Sequence, residues 1–182
     1  PHCRFCWDAE RSGVRSHRAT DTRGSATLRK IHIRFNNICN FKCRMCNPKY
    51  SSSWAEENKK HGYFEHEYET VKDIFQTVPD LFTLILDNKN TIKQINISGG
   101  EPFIADANLY FLDWLIENNL THIELAYSTN LSKLTHKGRD LVPLLDKFDK
   151  VIVSISVDGY GKAVEYSRAG FKWDVFKNNL KK

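Results

Sequence analysis

KIHIRFNNICNFKCRMC, Lys30 to Cys46, runs an alternating stretch into a loop with three cysteines in eight residues. Ile31, Ile33 and Phe35 fall on one side of the alternation and His32, Arg34 and Asn36 on the other. That period belongs to a strand with one buried face. Three related stretches follow: Lys93–Ser98 (KQINIS), Thr121–Tyr127 (THIELAY) and Lys150–Val157 (KVIVSISV). Helical spacing fills the gaps. Tyr68–Asp87 is interrupted by Pro79, which is expected to start a second helix. Asp106–Leu120 has Asp106 as its expected N-cap, and Ser132–Phe148 repeats the spacing through Leu134, Leu141, Leu145 and Phe148. A last helix is expected over Trp173–Lys182, starting near Asp174.

Strands alternating with helices predict a parallel α/β fold with right-handed crossovers. In the last strand Val151, Val153, Ile155 and Val157 oppose Ile152, Ser154, Ser156 and Asp158. A doubly wound sheet would be apolar on both faces. One polar face predicts instead an open, partial barrel, with helices outside and a polar interior turned to a ligand.

The bulk properties are compatible with this. A chain of 182 residues, 41% apolar and 12% aromatic, can bury one core. No apolar run approaches the length of a membrane span, and no signal-like segment opens the chain, so a cytoplasmic location is expected. The net charge of +5 is mild and dispersed, which argues against a nucleic-acid-binding face. Residues 1–29 have few aliphatics and form a separate lead-in. Pro1 in place of a methionine, and an end inside a helical pattern, lead to the expectation of a fragment.

Ligand sites in parallel α/β proteins form at the carboxyl ends of the strands. Here those ends carry the cysteine loop, Gly99-Gly100-Glu101-Pro102, Ser128-Thr129-Asn130, and Ser156 with Asp158 and Gly159. All 5 cysteines lie in the first 46 residues, which suits metal or redox chemistry better than a disulfide framework. Thiolates select zinc, Cu(I) or iron–sulfur clusters. A four-iron cubane held by three thiolates keeps one iron open to an exogenous ligand, so the missing fourth cysteine can itself be functional. The alternative is a zinc-stabilised α/β binding module without redox activity, using Cys3–Cys6 and Cys43–Cys46. It leaves Cys39 over.

Cys39-Asn-Phe-Lys-Cys43-Arg-Met-Cys46 after a first strand, with Gly99-Gly100-Glu101-Pro102 after the second, resembles the radical SAM enzymes. The resemblance runs from about Lys30 to the C-terminus. It implies a partial (βα)6 TIM-like barrel, of which about four units are present over residues 30–182. It implies a [4Fe–4S] cluster on Cys39, Cys43 and Cys46, with S-adenosylmethionine (SAM) chelating the open iron. Reductive cleavage of SAM would give a 5′-deoxyadenosyl radical that abstracts hydrogen from a substrate. Gly99, Gly100, Glu101 and Pro102 would receive the methionine amino group. Ser156 and Asp158 would make ribose or carboxylate contacts, and Arg168, with Gly170, would meet the SAM carboxylate. Ser128 and Asn130 resemble a Thr-Asn-Gly turn near the cofactor, with Leu131 in place of the glycine. Met45 stands where many members have an aromatic residue and would pack beside adenine. Cys3 and Cys6, in residues 1–29, resemble the tail of a twitch or SPASM-like module and would serve an auxiliary iron–sulfur cluster. Such modules imply a peptide or protein substrate. The chemistry implies an electron donor such as flavodoxin or ferredoxin.

Overall fold

The computed structural model describes residues 4–14, 16, 27–64 and 73–182, and the backbone alone of residues 4–6. Its elements in chain order are α1 (Arg4–Arg11), β1 (Lys30–Arg34), β2 (Lys42–Cys43), α2 (Ser52–His61), α3 (Ile74–Thr77), α4 (Leu81–Asp87) and β3 (Gln94–Ser98). A 3₁₀ turn (Pro102–Ile104) then precedes α5 (Asp106–Glu117), β4 (Glu124–Thr129), β5 (Thr135–His136), β6 (Arg139–Asp140) and α6 (Val142–Leu145). The chain ends with β7 (Val151–Ile155), α7 (Lys162–Ser167), β8 (Arg168–Ala169) and α8 (Trp173–Leu180).

The sheet order is β1-β3-β4-β7, every pair parallel. The register lines Ile33, Ile97, Tyr127 and Val153 in one row and His32, Asn96, Ala126 and Ile152 in the next. Ile33, Ile97 and Tyr127 are buried, as are Phe35, Ile95 and Leu125, and Phe111, Leu112 and Leu115 of α5 join the same core. The polar row lies on the other face, where His32 is exposed. This is the one-sided burial of an open, partial barrel: four strands, with no closure among the described residues.

Four expectations change. Ser132–Phe148 is not one helix but the β5–β6 hairpin followed by the single turn α6. The hairpin turn places Lys137 at φ +48° and Gly138 at φ +76°, the left-handed pair of a tight hairpin. Leu134 and Leu141 pack into the core from the two ends of the hairpin, where Leu141 N donates to Leu134 O at 2.8 Å, and not from a helical face. Second, Asp106 is not the N-cap. Ala105 holds that position, and the Asp106 carboxylate takes His136 Nε2 at 2.7 Å and Lys137 Nζ at 2.6 Å, tying the hairpin to α5. Third, α2 appears where no helix was expected. Ser51 caps its start and Gly62, at φ +67°, ends it. Fourth, β7 stops at Ile155, so Ser156 and Asp158 lie just past the strand, with Ser156 N still donating to Thr129 O of β4 at 2.8 Å. The break at Pro79 holds, with Asp80 preceding α4. Residues 65–72 of that region lie outside the described residues.

Candidate active site

Cys39, Cys43 and Cys46 leave the end of β1 on a loop that α2 braces from behind. Ser51 Oγ donates to Phe41 O at 2.7 Å, Ser53 Oγ to Cys39 O at 2.7 Å and Trp54 Nε1 to Cys43 O at 2.8 Å. Cys46 N closes a turn on Cys43 O at 2.9 Å. The loop's carbonyls are thus matched by the SSSW stretch, Ser51–Trp54, which leaves the thiols to face forward. All three are free, with no disulfide among them.

They line a cavity of about 260 Å³ together with Phe41, Met45, Tyr50, Ser98, Gly99, Gly100, Glu101, Ser128, Thr129, Asn130, Ser156 and Arg168. Of the residues expected at the site, most therefore converge on one space. Pro102 and Asp158 are not on its wall. Pro102 is buried in the 3₁₀ turn behind it, and Asp158 Oδ2 lies 2.5 Å from Arg168 Nε. Cys3 lies outside the described residues, and Cys6 is placed on α1 by its backbone alone. Met45 is 59% exposed at the mouth. Phe41, Tyr50, Ser98 and Thr129 are wall residues that the motifs did not mark as site residues. His32, one step back, shares a 2.7 Å hydrogen bond with Ser98 Oγ. A larger groove of about 430 Å³ flanks the outer, apolar side of β7 along Val151, Val153 and Ile155, away from the thiols.

The two glycines let backbone approach backbone. Gly100 N donates to Asn36 O at 3.1 Å and Glu101 N to Ile38 O at 2.7 Å, so the segment is stitched to the start of the cysteine loop. A Cβ on Gly100 would meet Ile38 O at 2.1 Å, and Gly99 sits at φ +135°. The glycines were expected to serve a ligand; their first requirement is this contact.

Glu101 is 1% exposed. Its carboxylate accepts from Thr129 Oγ1 at 2.5 Å, Phe103 N at 3.1 Å and Asn130 N at 2.6 Å. Burial still holds it above the ordinary carboxylate range, against the pull of those donors. Leu131 takes φ +54°, so the position where the resembled turn has glycine does demand the left-handed region. Thr129 Oγ1 accepts Leu131 N at 3.0 Å and Leu131 is buried, which holds the leucine there.

Burial pushes the Cys39 thiol up to about 11 and raises Cys43 as well; near Cys43 the Arg168 cation works the other way. A metal that binds Cys39 and Cys43 must displace the protons that burial helps those two thiols keep. Among the described residues no three His, Cys, Asp or Glu side chains are arranged to share a single metal ion. Three free sulfurs spread around one cavity suit a polynuclear cluster, and this donor set fits an iron–sulfur centre.

The profile of the Radical SAM superfamily matches residues 33–182. The chain belongs to that superfamily, whose cofactors are a [4Fe–4S] cluster and S-adenosylmethionine. Residues 33–182 contain the end of β1, the other three strands of the sheet, the cysteine loop and every residue of the cavity wall. The chain is similar to the GTP 3′,8-cyclase of Campylobacter lari, 32% identical over 112 residues, 61% of this chain and 30% of the relative. It is also similar to that of Aliarcobacter butzleri, 29% identical over 114 residues, 60% of this chain and 30% of the relative. The matched stretch is thus under a third of the length of either curated relative.

Proposed function

We propose that the protein is an enzyme that cleaves SAM reductively and uses the result for hydrogen abstraction, with Cys39, Cys43 and Cys46 holding the [4Fe–4S] cluster. The observation that carries this is the convergence of three free thiols and the Gly99–Glu101 segment on one cavity at the carboxyl end of a parallel sheet. When bound, the cluster supplies the electron that breaks a sulfonium C–S bond.

The chain's own residues supply placement. The Ser51–Trp54 brace points the thiols into the cavity, and Gly99 and Gly100 set the opposing wall against the loop. Carbonyl and hydroxyl groups of that wall, with Ser128, Asn130 and Ser156, offer acceptors to an ammonium and partners to a ribose. Met45 at the mouth offers a polarisable surface to a purine. Glu101 acts mainly as the clasp of the wall, since protein donors already occupy its oxygens.

In this reading residues 30–182 are the catalytic core and residues 1–29 the tail of an accessory module, whose Cys3 and Cys6 would serve an auxiliary cluster. The electron comes from a flavodoxin or ferredoxin, in the cytoplasm. Among the described residues no helix is long and apolar enough to cross a membrane. By analogy, an accessory module of this kind favours a peptide or protein substrate. A second reading, a nucleotide, is favoured by the name of the two relatives, which act on GTP.

The test is to incubate the reduced, cluster-loaded full chain with SAM and measure 5′-deoxyadenosine, alone and with GTP or a peptide pool. Formation of 5′-deoxyadenosine supports the reading, and the additive that stimulates it selects the substrate class. No formation from a fully loaded, reducible cluster would contradict it.

A further inference from the structure

We propose that Arg168 is a positioning residue for the cluster, its guanidinium donating to the Cys43 sulfur and so favouring the reduced state. This rests on the reading that Cys39, Cys43 and Cys46 hold the cluster. The resemblance assigned Arg168 to a SAM carboxylate, but the geometry gives two of its nitrogens other partners.

Cys43 and Arg168 stand opposite each other in the antiparallel β2–β8 ribbon, so their side chains leave on the same side. Arg168 Nη1 donates to Cys43 Sγ at 3.6 Å, across 125 positions of chain. Arg168 Nε lies 2.5 Å from Asp158 Oδ2, an ion pair whose N–H is not aligned for a hydrogen bond. The arginine side chain is 13% exposed, so water screens its charge little.

The ribbon is fastened on both sides of this contact. Arg44 N donates to Ser167 O at 2.8 Å, Arg44 Nε donates to Tyr166 O at 3.0 Å, and the Arg44 guanidinium lies 3.9 Å over the Tyr166 ring. Gly170, at φ +107°, passes so close to the cysteine loop that a Cβ would meet Phe41 Cδ1 at 2.8 Å. Arg168 is therefore held beside the sulfur by backbone pairing and by a glycine that no larger residue replaces without displacement.

The other two sulfurs have neutral partners. Cys39 Sγ accepts Phe41 N at 3.5 Å, and Cys46 Sγ lies 3.7 Å from Asn47 O. Reducing the cluster adds one negative charge. A cation and a charge-assisted hydrogen bond at a ligating sulfur stabilise that charge, and the Asp158 carboxylate offsets part of the effect.

The experiment is a mediated potentiometric titration of the full chain, loaded anaerobically, followed by the electron paramagnetic resonance signal of the reduced cluster. Arg168→Met is expected to lower the reduced-to-oxidised ratio about tenfold at a fixed potential, about 59 mV for a one-electron couple. Arg168→Lys recovers part of the loss, and Asp158→Asn moves the ratio the opposite way. Equal midpoints and spectra with full iron in all four proteins would overturn the inference and leave the cluster reading standing. Wild type without iron would overturn the cluster reading and this inference with it. Should Arg168→Met not hold iron, Asp158→Asn decides: a rise in midpoint supports the inference, and no change or a fall overturns it.

Discussion

Glu101 and Asn130 are joined across 29 positions of chain, the carboxylate Oε2 accepting the asparagine N–H at 2.6 Å. The contact fastens the loop after β3 to the end of β4, and Oε1 adds Thr129 of the same strand. Asn130 Nδ2 donates to Asn40 Oδ1 at 3.1 Å, so the clasp continues into the cysteine loop. The cavity wall is thus one hydrogen-bonded unit drawn from three strand ends.

Removing the clasp leaves buried donors unmatched. Glu101→Ala is expected to cost roughly 3 kcal/mol or more, because the Thr129 hydroxyl and the Phe103 and Asn130 N–H groups all lose their acceptor. Glu101→Gln keeps the shape and one acceptor oxygen and is expected to cost about 1–2 kcal/mol. Urea denaturation of the cluster-free protein measures both; equal midpoints for all three proteins would contradict the clasp.

The same residue carries a pH signature. Its folded carboxyl titrates above the ordinary value of 4.5. The stability this adds is complete below the unfolded value and is lost as pH rises through the folded one. The stability of wild type minus that of Glu101→Gln should therefore fall as pH is raised from about 4 toward neutrality. A flat or rising difference in pH-resolved urea melts would contradict it.

Gly100→Ala drives a Cβ to 2.1 Å from Ile38 O, a backbone atom that no rotamer change can move aside. The expected cost is about 2 kcal/mol or more, with loss of the Glu101 N to Ile38 O bond. A thermal melt and iron retention check it. An alanine variant as stable and iron-rich as wild type would show that the segment need not approach the loop so closely.

Much of this was legible from local pattern. The alternation in Lys30–Arg34 and its three counterparts gave the strands, because a one-sided sheet imposes period two on each of them separately. The cysteine loop was legible because its three cysteines lie within eight residues. Helix α2 was not, because it buries only Ala55 and Asn58 and so lacks an apolar stripe; its caps, Ser51 and Gly62, were the available signal. Leu134 and Leu141 are buried at helical spacing but at the two ends of a hairpin, and Gly138 was the residue that marked the turn. The Ser51–Trp54 brace, the Thr129 contact and the pairing of Arg168 with Cys43 depend on partners that only the fold brings near.

Ser51 has two tasks, capping α2 at Trp54 N and donating to Phe41 O. Ser51→Ala is expected to destabilise the protein by about 1–2 kcal/mol and to release iron faster to a chelator. A variant that loses stability but keeps iron as firmly as wild type would separate the brace from the cluster.

Iron and zinc analysis of the anaerobically purified full chain, beside Cys43→Ala, tests the central claim most directly. The expected result is a brown wild type with about four irons for the main cluster and a visible absorbance that bleaches on reduction, lost in Cys43→Ala. A colourless wild type carrying zinc on these thiols and no iron would contradict the account.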